Sequence, residues 1–496
     1  MGFVEAELIS LQQTNDSTHI AKYFFGRKHQ QIKIFYNKNT FRKKDLQKIS
    51  KNSTNEYFML PFEKIESALI KLNNIQTQNG NAFARLGLKK IQLGKNNILE
   101  AELNTDYGNK RTIDTVIIKG YENFPRSFVK HYAGIKIGQS FIKPDIIKKN
   151  SSIDNLGFAD AEKSPEVLFR KNKTEVYLYI IKKNFNLFDG VLGFSTNDKT
   201  QKLNFNGYLD LELNNNLNFG EQLSINYKAD GNDQRNFKIK TKLPYLFNTP
   251  FGVGAELKIF KRDSTFATTD QQIRATYQIY PSLDTYLGYK GYESTNLLDV
   301  NNTSINVLDY KSRFVSAGFS FSKLQNNFLF PFGTLINVET EIGKRESENS
   351  NNDQLRISME AQQIFNLTPT QSIYIKNGTS ILFGEDYFTN ELFRFGGINS
   401  MRGFEENSID ANFFSAVNTE YRYQPGNNLY LHSILDLAYF ENQLQDTQEK
   451  LLSLGIGIGL QTEAGIFNFS VANGFNESTT FDISNTKIHI SVRSKF

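Results

Sequence analysis

Few residues in this sequence could make or break bonds. The five histidines are scattered, and none falls into a His-Glu-x-x-His or other metal-ligand spacing. Cysteine is absent, which removes thiolate nucleophiles, disulfides and thiolate metal sites. No Gly-x-Ser-x-Gly elbow and no phosphate loop appears. The sequence therefore predicts no enzyme, no cofactor and no metal. The densest pattern is Phe393-Arg394-Phe395-Gly396-Gly397-Ile398-Asn399-Ser400-Met401-Arg402-Gly403-Phe404. An arginine beside a glycine and an aromatic suits fixing chemistry. The planar guanidinium can hold a carboxylate by two bonds, glycine permits a tight backbone, and the ring can pack on a wall. What such a tip could hold depends on the elements around it.

Those elements are read from composition and period. The chain has 496 residues, enough for a large body and two or three small domains. Its mean hydropathy is -0.45 and it has no long apolar run, which excludes a transmembrane helix. A transmembrane barrel stays open, because its strands alternate apolar and polar residues. Residues 1–184 carry 31 Lys and Arg against 18 Asp and Glu, whereas 185–496 carries 26 against 34. A basic arm joined to an acidic body suggests two compartments or two partners, or lysines that merely solubilise the arm. No zinc finger, helix-turn-helix or ribonucleoprotein pattern accompanies the charge, so no nucleic-acid partner is expected. Met1-Gly2-Phe3-Val4-Glu5-Ala6 runs into a strand-like segment without a signal peptide. An exported chain would carry its signal ahead of that start.

Period-2 alternation dominates the larger part. Leu203, Phe205, Gly207, Leu209, Leu211 and Leu213 interleave with Asn204, Asn206, Tyr208, Asp210 and Glu212. The habit recurs in 253–259, 273–279, 313–321, 373–383 and 412–424, separated by Asn-, Asp-, Ser- and Gly-rich loops. About sixteen segments of membrane-spanning length fit between Phe185 and Phe496, more than a β-sandwich uses. Charged residues on the inward face make sense only around a watery lumen.

The motif 393–404 resembles the inner loop of the BamA/TamA superfamily of outer-membrane assembly factors (bacterial surface antigen family), which carries a (Val/Leu)-Arg-Gly-(Phe/Tyr) tip. Here the tip is Met401-Arg402-Gly403-Phe404. The resemblance implies two carboxylate partners for Arg402, namely Glu420 on the strand after the loop and Asp436 on the next one. Asp436 stands in Ile434-Leu435-Asp436-Leu437-Ala438, similar to the family's Phe-x-Asp-x-Gly, with Ile434 and Ala438 departing from it. Phe330-Pro331-Phe332-Gly333 with Val338-Glu339, and Gly455-Ile456-Gly457-Ile458-Gly459-Leu460 with Ala464-Gly465-Ile466-Phe467, resemble a mid-barrel strand start and the penultimate hairpin. The terminal Phe496, on the alternating strand 487–496, resembles the closing signature by which outer-membrane barrels are recognised.

The basic third reads as a repeat. Residues 112–184 run strand (112–118), helix (126–133), helix (144–154), then strands at 166–170 and 174–182. Residues 31–111 repeat the order, with a strand at 32–35, helices near 43–50 and 61–75, and strands near 86–93 and 97–104. Residues 1–30 look like the end of a third copy, since Gly2-Phe3-Val4-Glu5-Ala6 parallels Gly80-Asn81-Ala82-Phe83-Ala84. Such a unit resembles the POTRA domain, whose exposed strand edges can take up an extended polypeptide.

The expected fold is thus a transmembrane β-barrel of about sixteen antiparallel strands (185–496), preceded by α+β POTRA repeats (1–30 in part, 31–111 and 112–184). The resemblance implies an outer-membrane insertion factor that receives unfolded clients through its arm in the periplasm and inserts them at a lateral seam, where the first and last barrel strands pair weakly. Its partners would be unfolded outer-membrane proteins, the bilayer and accessory assembly subunits. The alternative is a secretion translocator conducting one partner polypeptide through the lumen. A passive porin would have no use for the repeats.

Overall fold

Alternation decides the larger part of the fold. The computed structural model describes residues 2–94, 98–196, 203–229, 234–298, 306–325, 327, 329–348, 350–462, 465–476 and 486–495. Sixteen strands close into one antiparallel barrel in sequence order. They are β1 (Leu187–Thr196), β2 (Leu203–Asn214), β3 (Gln222–Ala229), β4 (Arg235–Leu243), β5 (Phe251–Arg262), β6 (Phe266–Tyr280), β7 (Leu283–Asn296) and β8 (Tyr310–Leu324). There follow β9 (Phe332–Ser347), β10 (Asn351–Thr368), β11 (Gln371–Phe383), β12 (Phe413–Tyr423), β13 (Leu429–Asn442), β14 (Thr447–Thr462), β15 (Gly465–Asn476) and β16 (Thr486–Lys495). Neighbouring residues show the two faces. Gln272 is 5% exposed and hydrogen-bonds Ser316 and Glu339 inside the barrel, whereas Ile273 is 67% exposed on the outer wall. No helix among the described residues is long and apolar enough to cross a membrane.

Closure is uneven. β15 and β16 pair from Ile466↔Arg493 to Asn473↔Thr486. Among the described residues, β16 meets β1 at only Leu187↔Lys495, Phe188↔Ser494 and Asp189↔Arg493, although β1 continues to Thr196. The ring closes at one end of these two strands. Phe496, the expected closing signature, lies outside the described residues.

The chain divides into two compact units: 1–119 with 135–150 and 163–179, and 120–134 with 151–162 and 180–496. In the first, the strands 57–61, 31–35, 99–106 and 85–93 lie side by side in that order, with 31–35 and 99–106 parallel. Helices α1 (Lys43–Gln47) and α2 (Ile65–Gln78) cover the sheet, burying Ile32, Ile34, Leu46, Phe58 and Leu72. The strand 57–61 stands where the sequence pattern predicts only the start of a helix near 61. Phe58 and Leu60 alternate into the core, and Pro61 ends the strand. The later stretch has a three-stranded sheet in the order 115–120, 174–182, 159–169, with helical segments at 128–132 and 143–151. Residues 7–15 and 18–24 form a two-stranded hairpin.

Candidate functional site

A loop of 29 residues, 384–412, joins β11 to β12 and carries the Met401–Phe404 tip. Its limbs pair as a short ladder, Phe393↔Ala411 to Phe395↔Ile409, and Gly397 bridges to Met401 at the turn. Two positive-φ glycines, Gly396 (+115°) and Gly397 (+90°), let the chain fold back so sharply. Met401 is fully buried in an apolar cluster with Phe395, Ala416, Ala438, Phe440 and Leu451, and Phe395 stacks on Phe414 at 4.5 Å. The tip is thus docked on the inner wall of β12, β13 and β14.

Arg402 sits in the middle of the docked tip. Its Nε donates to Asp436 Oδ2 at 2.8 Å, and its Nη2 to Asp436 Oδ1 at 2.6 Å. Its backbone N–H donates to Oδ2 at 3.2 Å, and its Nη1 donates to Glu420 Oε1. The second oxygen of Glu420 accepts Arg422 Nε at 2.7 Å. The Arg422 guanidinium lies 4.1 Å from the Phe330 ring and 4.0 Å from the Tyr374 ring. Strand parity explains the convergence. Glu420 and Arg422 are two apart on β12, so both face inward, and Asp436 faces inward from β13. All are buried, so each charge depends on its partners.

Gly403 has φ +85°, and a Cβ there would stand 2.5 Å from the backbone nitrogen of Gly474 on β15. A Cβ on Gly474 would in turn meet the Phe404 ring at 2.5 Å. Two glycines therefore let the tip lie flat on the wall. Asn418 Nδ2 donates to the Ser400 carbonyl at 2.8 Å, and Lys376 Nζ to that of Asn399 at 3.1 Å.

The rest of the loop is fastened by residues that sequence reasoning passed over. Arg345 on β9 is wholly buried, donates to Glu391 at 2.6 Å and Asp386 at 2.5 Å, and lies 3.7 Å from the Phe388 ring. Arg262 on β5 forks onto Asp410 at 2.6 and 2.8 Å. Lys228 on β3 pairs with Glu406 at 2.9 Å, and Lys487 on β16 with Glu405 at 3.0 Å. The available signal was parity. Arg345 shares the inward register of Glu339 and Glu341, where a cation needs a carboxylate.

Beside the loop lies a cavity of about 700 Å3 lined by Lys238, Lys240, Glu256, Arg274, Glu339 and Lys376, among others. No group of residues that could hold a metal occurs among the described residues.

A closed sixteen-stranded wall, apolar outside and charged inside, with a long loop locked in the lumen by an arginine, defines a transmembrane β-barrel. The Omp85 superfamily domain pattern matches residues 215–496, more than half of the chain, and the chain belongs to that superfamily. Its fold is similar to BamA from Haemophilus ducreyi lacking POTRA domains 1–3, at 16% identity and TM-score 0.53, covering 88% of this chain and 94% of that one. It is also similar to CdiB from Acinetobacter baumannii (14%, TM-score 0.57, covering 92% and 86%) and CdiB from Escherichia coli (12%, TM-score 0.55, covering 98% and 93%). The barrel is under two thirds of the chain, so these likenesses extend into the α+β arm. The architecture is a transmembrane β-barrel preceded by POTRA-like α+β units. No curated protein sequence matches the chain.

Proposed function

We propose that the chain inserts other β-barrel proteins into the outer membrane. It receives them unfolded on POTRA repeats in the periplasm and passes them to the bilayer at the β1–β16 seam. The observation that carries this reading is the seam itself. Among the described residues it is paired at Leu187, Phe188 and Asp189 alone, while every other neighbouring pair of barrel strands is zipped further. Unpaired edges of β1 and β16 would offer backbone donors and acceptors to a client strand. The Arg402 cluster does no bond chemistry on this reading. It braces β12–β15, so that the wall beside β16 stays rigid while the seam opens. Accessory subunits would bind the arm.

A second reading, a translocator that conducts one polypeptide, is supported by the charged cavity in the lumen. Reconstitution separates the two. A urea-denatured outer-membrane barrel is diluted into liposomes with or without the protein, and its folding is followed by gel mobility without boiling. An insertase speeds the folding of unrelated barrels. A translocator leaves it at the rate of empty liposomes, a result that would overturn the first reading.

A further inference from the structure

Two turns at the arm-side rim hold large apolar side chains out of the molecule. The β2–β3 turn carries Leu217 and Phe219, each 67% exposed, and the β4–β5 turn carries Phe247, 95% exposed. Neither turn is loose. Asn215 Oδ1 accepts the Gly220 N–H at 2.8 Å, while the Glu221 carboxylate accepts the N–H groups of Leu217 at 2.6 Å and Phe219 at 3.1 Å. Tyr121 Oη donates to Asn218 Oδ1 at 2.5 Å and accepts Asn215 Nδ2 at 2.9 Å. In the second turn Tyr245, Phe247 and Asn248 all have left-handed backbones, with φ of 53°, 52° and 59°.

One side chain grips both turns. The Phe128 ring meets Tyr245 edge-on at 4.8 Å, and it fills the space that a Cβ on Gly220 would take. His131 stacks on Tyr245 at 5.5 Å, and its Nε2 donates to the Asn248 carbonyl at 2.8 Å. A chain that accepts three left-handed residues to present a bare phenylalanine gains nothing if that ring stands in water.

Two observations indicate what covers it. First, the turns continue the outer apolar wall. Leu243 and Phe251 flank the second turn on that wall, and the exposed rings of Tyr277 and Tyr280 follow on β6, with Phe251 and Tyr277 5.2 Å apart. Aromatic residues at the ends of barrel strands sit at the headgroup level of the bilayer. Second, cations flank the turns. Lys182 Nζ is 3.5 Å from Asn218 Oδ1, and Arg126 and Lys130 are exposed on the segment that carries Phe128 and His131. Apolar tips with cations behind them match the layering of an anionic lipid surface.

We propose that Leu217, Phe219 and Phe247 form an anchor that enters the headgroup region of the arm-side leaflet, with Arg126, Lys130 and Lys182 meeting anionic lipid headgroups. The anchor stands at the first arm-side turns of the barrel, β2–β3 and β4–β5, on one flank of the seam, and holds that flank at a fixed depth. It requires a bilayer around the barrel and nothing of clients.

The absence of tryptophan makes the test direct. Phe247→Trp places a single indole at a position with no packing to lose, and Leu217→Trp repeats the measurement in the other turn. Ile273→Trp on the outer wall serves as the lipid-facing control. The full chain is reconstituted in phosphatidylcholine vesicles, with and without phosphatidylglycerol, containing lipids brominated at shallow or deep acyl positions. We expect blue-shifted emission from the indole of both turn variants, quenched more by shallow than by deep bromine. Phosphatidylglycerol should enlarge the shift, and Arg126→Gln/Lys130→Gln/Lys182→Gln should remove that enlargement. Water-like emission, open to aqueous iodide and unaffected by bromolipid in both turn variants, would overturn the anchor. An equal shift in both vesicle types would overturn the role of the cations.

Discussion

Arg402 and Asp436 face one another with three donors on one carboxylate. The side-chain Nε and Nη2 and the backbone N–H of Arg402 all reach the two oxygens of Asp436. A loop tip and the barrel wall are thereby joined in a geometry that lysine cannot reproduce, since an ammonium is a point charge without a planar fork.

Arg402→Ala strips the cation from a buried Asp436 and removes half of the support of Glu420, which keeps Arg422. Breaking a buried pair on one side costs about 3–5 kcal/mol. The folded band on unboiled gels should be lost at a lower temperature than in wild type, with Arg402→Lys in between. A wild-type transition in Arg402→Ala would show the cluster to be incidental.

Gly403→Ala should destabilise the barrel more than Gly378→Ala. Gly378 lies in strand β11 and Gly403 in the docked loop tip, but a Cβ on Gly378 meets nothing within 4 Å, whereas one on Gly403 meets Gly474 and Ser453. Overpacking costs about 1–3 kcal/mol, and the left-handed backbone adds to it. Urea midpoints of the two variants measure the difference. Equal midpoints would mean the tip lies off the wall.

The second fastening, Arg345 with Glu391, can be weighed by a double-mutant cycle. Arg345→Met and Glu391→Leu should each destabilise, because each leaves a buried charge behind. Together they should cost less than their sum, with a coupling of about 0.5–3 kcal/mol. Additive effects would rule out the buried contact.

The barrel was open to sequence reading because its cause is local. In β2 and β3 the residue type changes with every step, and a wall between lipid and water demands that. Arg402 and Gly403 stood out for a similar reason, since a charge beside glycine and an aromatic is unusual in a strand-rich chain. Arg345 and Glu391 are ordinary residues in ordinary strings, and only the closed ring brings them together. The strand 57–61 is hard to read because Tyr57–Leu60 alternates for just two buried positions, Phe58 and Leu60, before helix α2 begins. A weak seam was implied by the family resemblance alone; its three paired positions are not legible in the residues, because register between the first and last strands depends on how the ring closes.

That seam carries the functional account, and the chain has no cysteine to confuse its test. Phe188→Cys with Ser494→Cys places two thiols on residues paired across it. The decisive measurement is the rate at which this variant, reconstituted in liposomes, folds a denatured outer-membrane barrel, first oxidised and then after reduction. Folding should be no faster than with empty liposomes while the disulfide holds the strands together, and should recover to the wild-type rate on reduction. Equal acceleration in both states, with the cross-link verified, would contradict it, because clients would then be folding somewhere other than between β1 and β16.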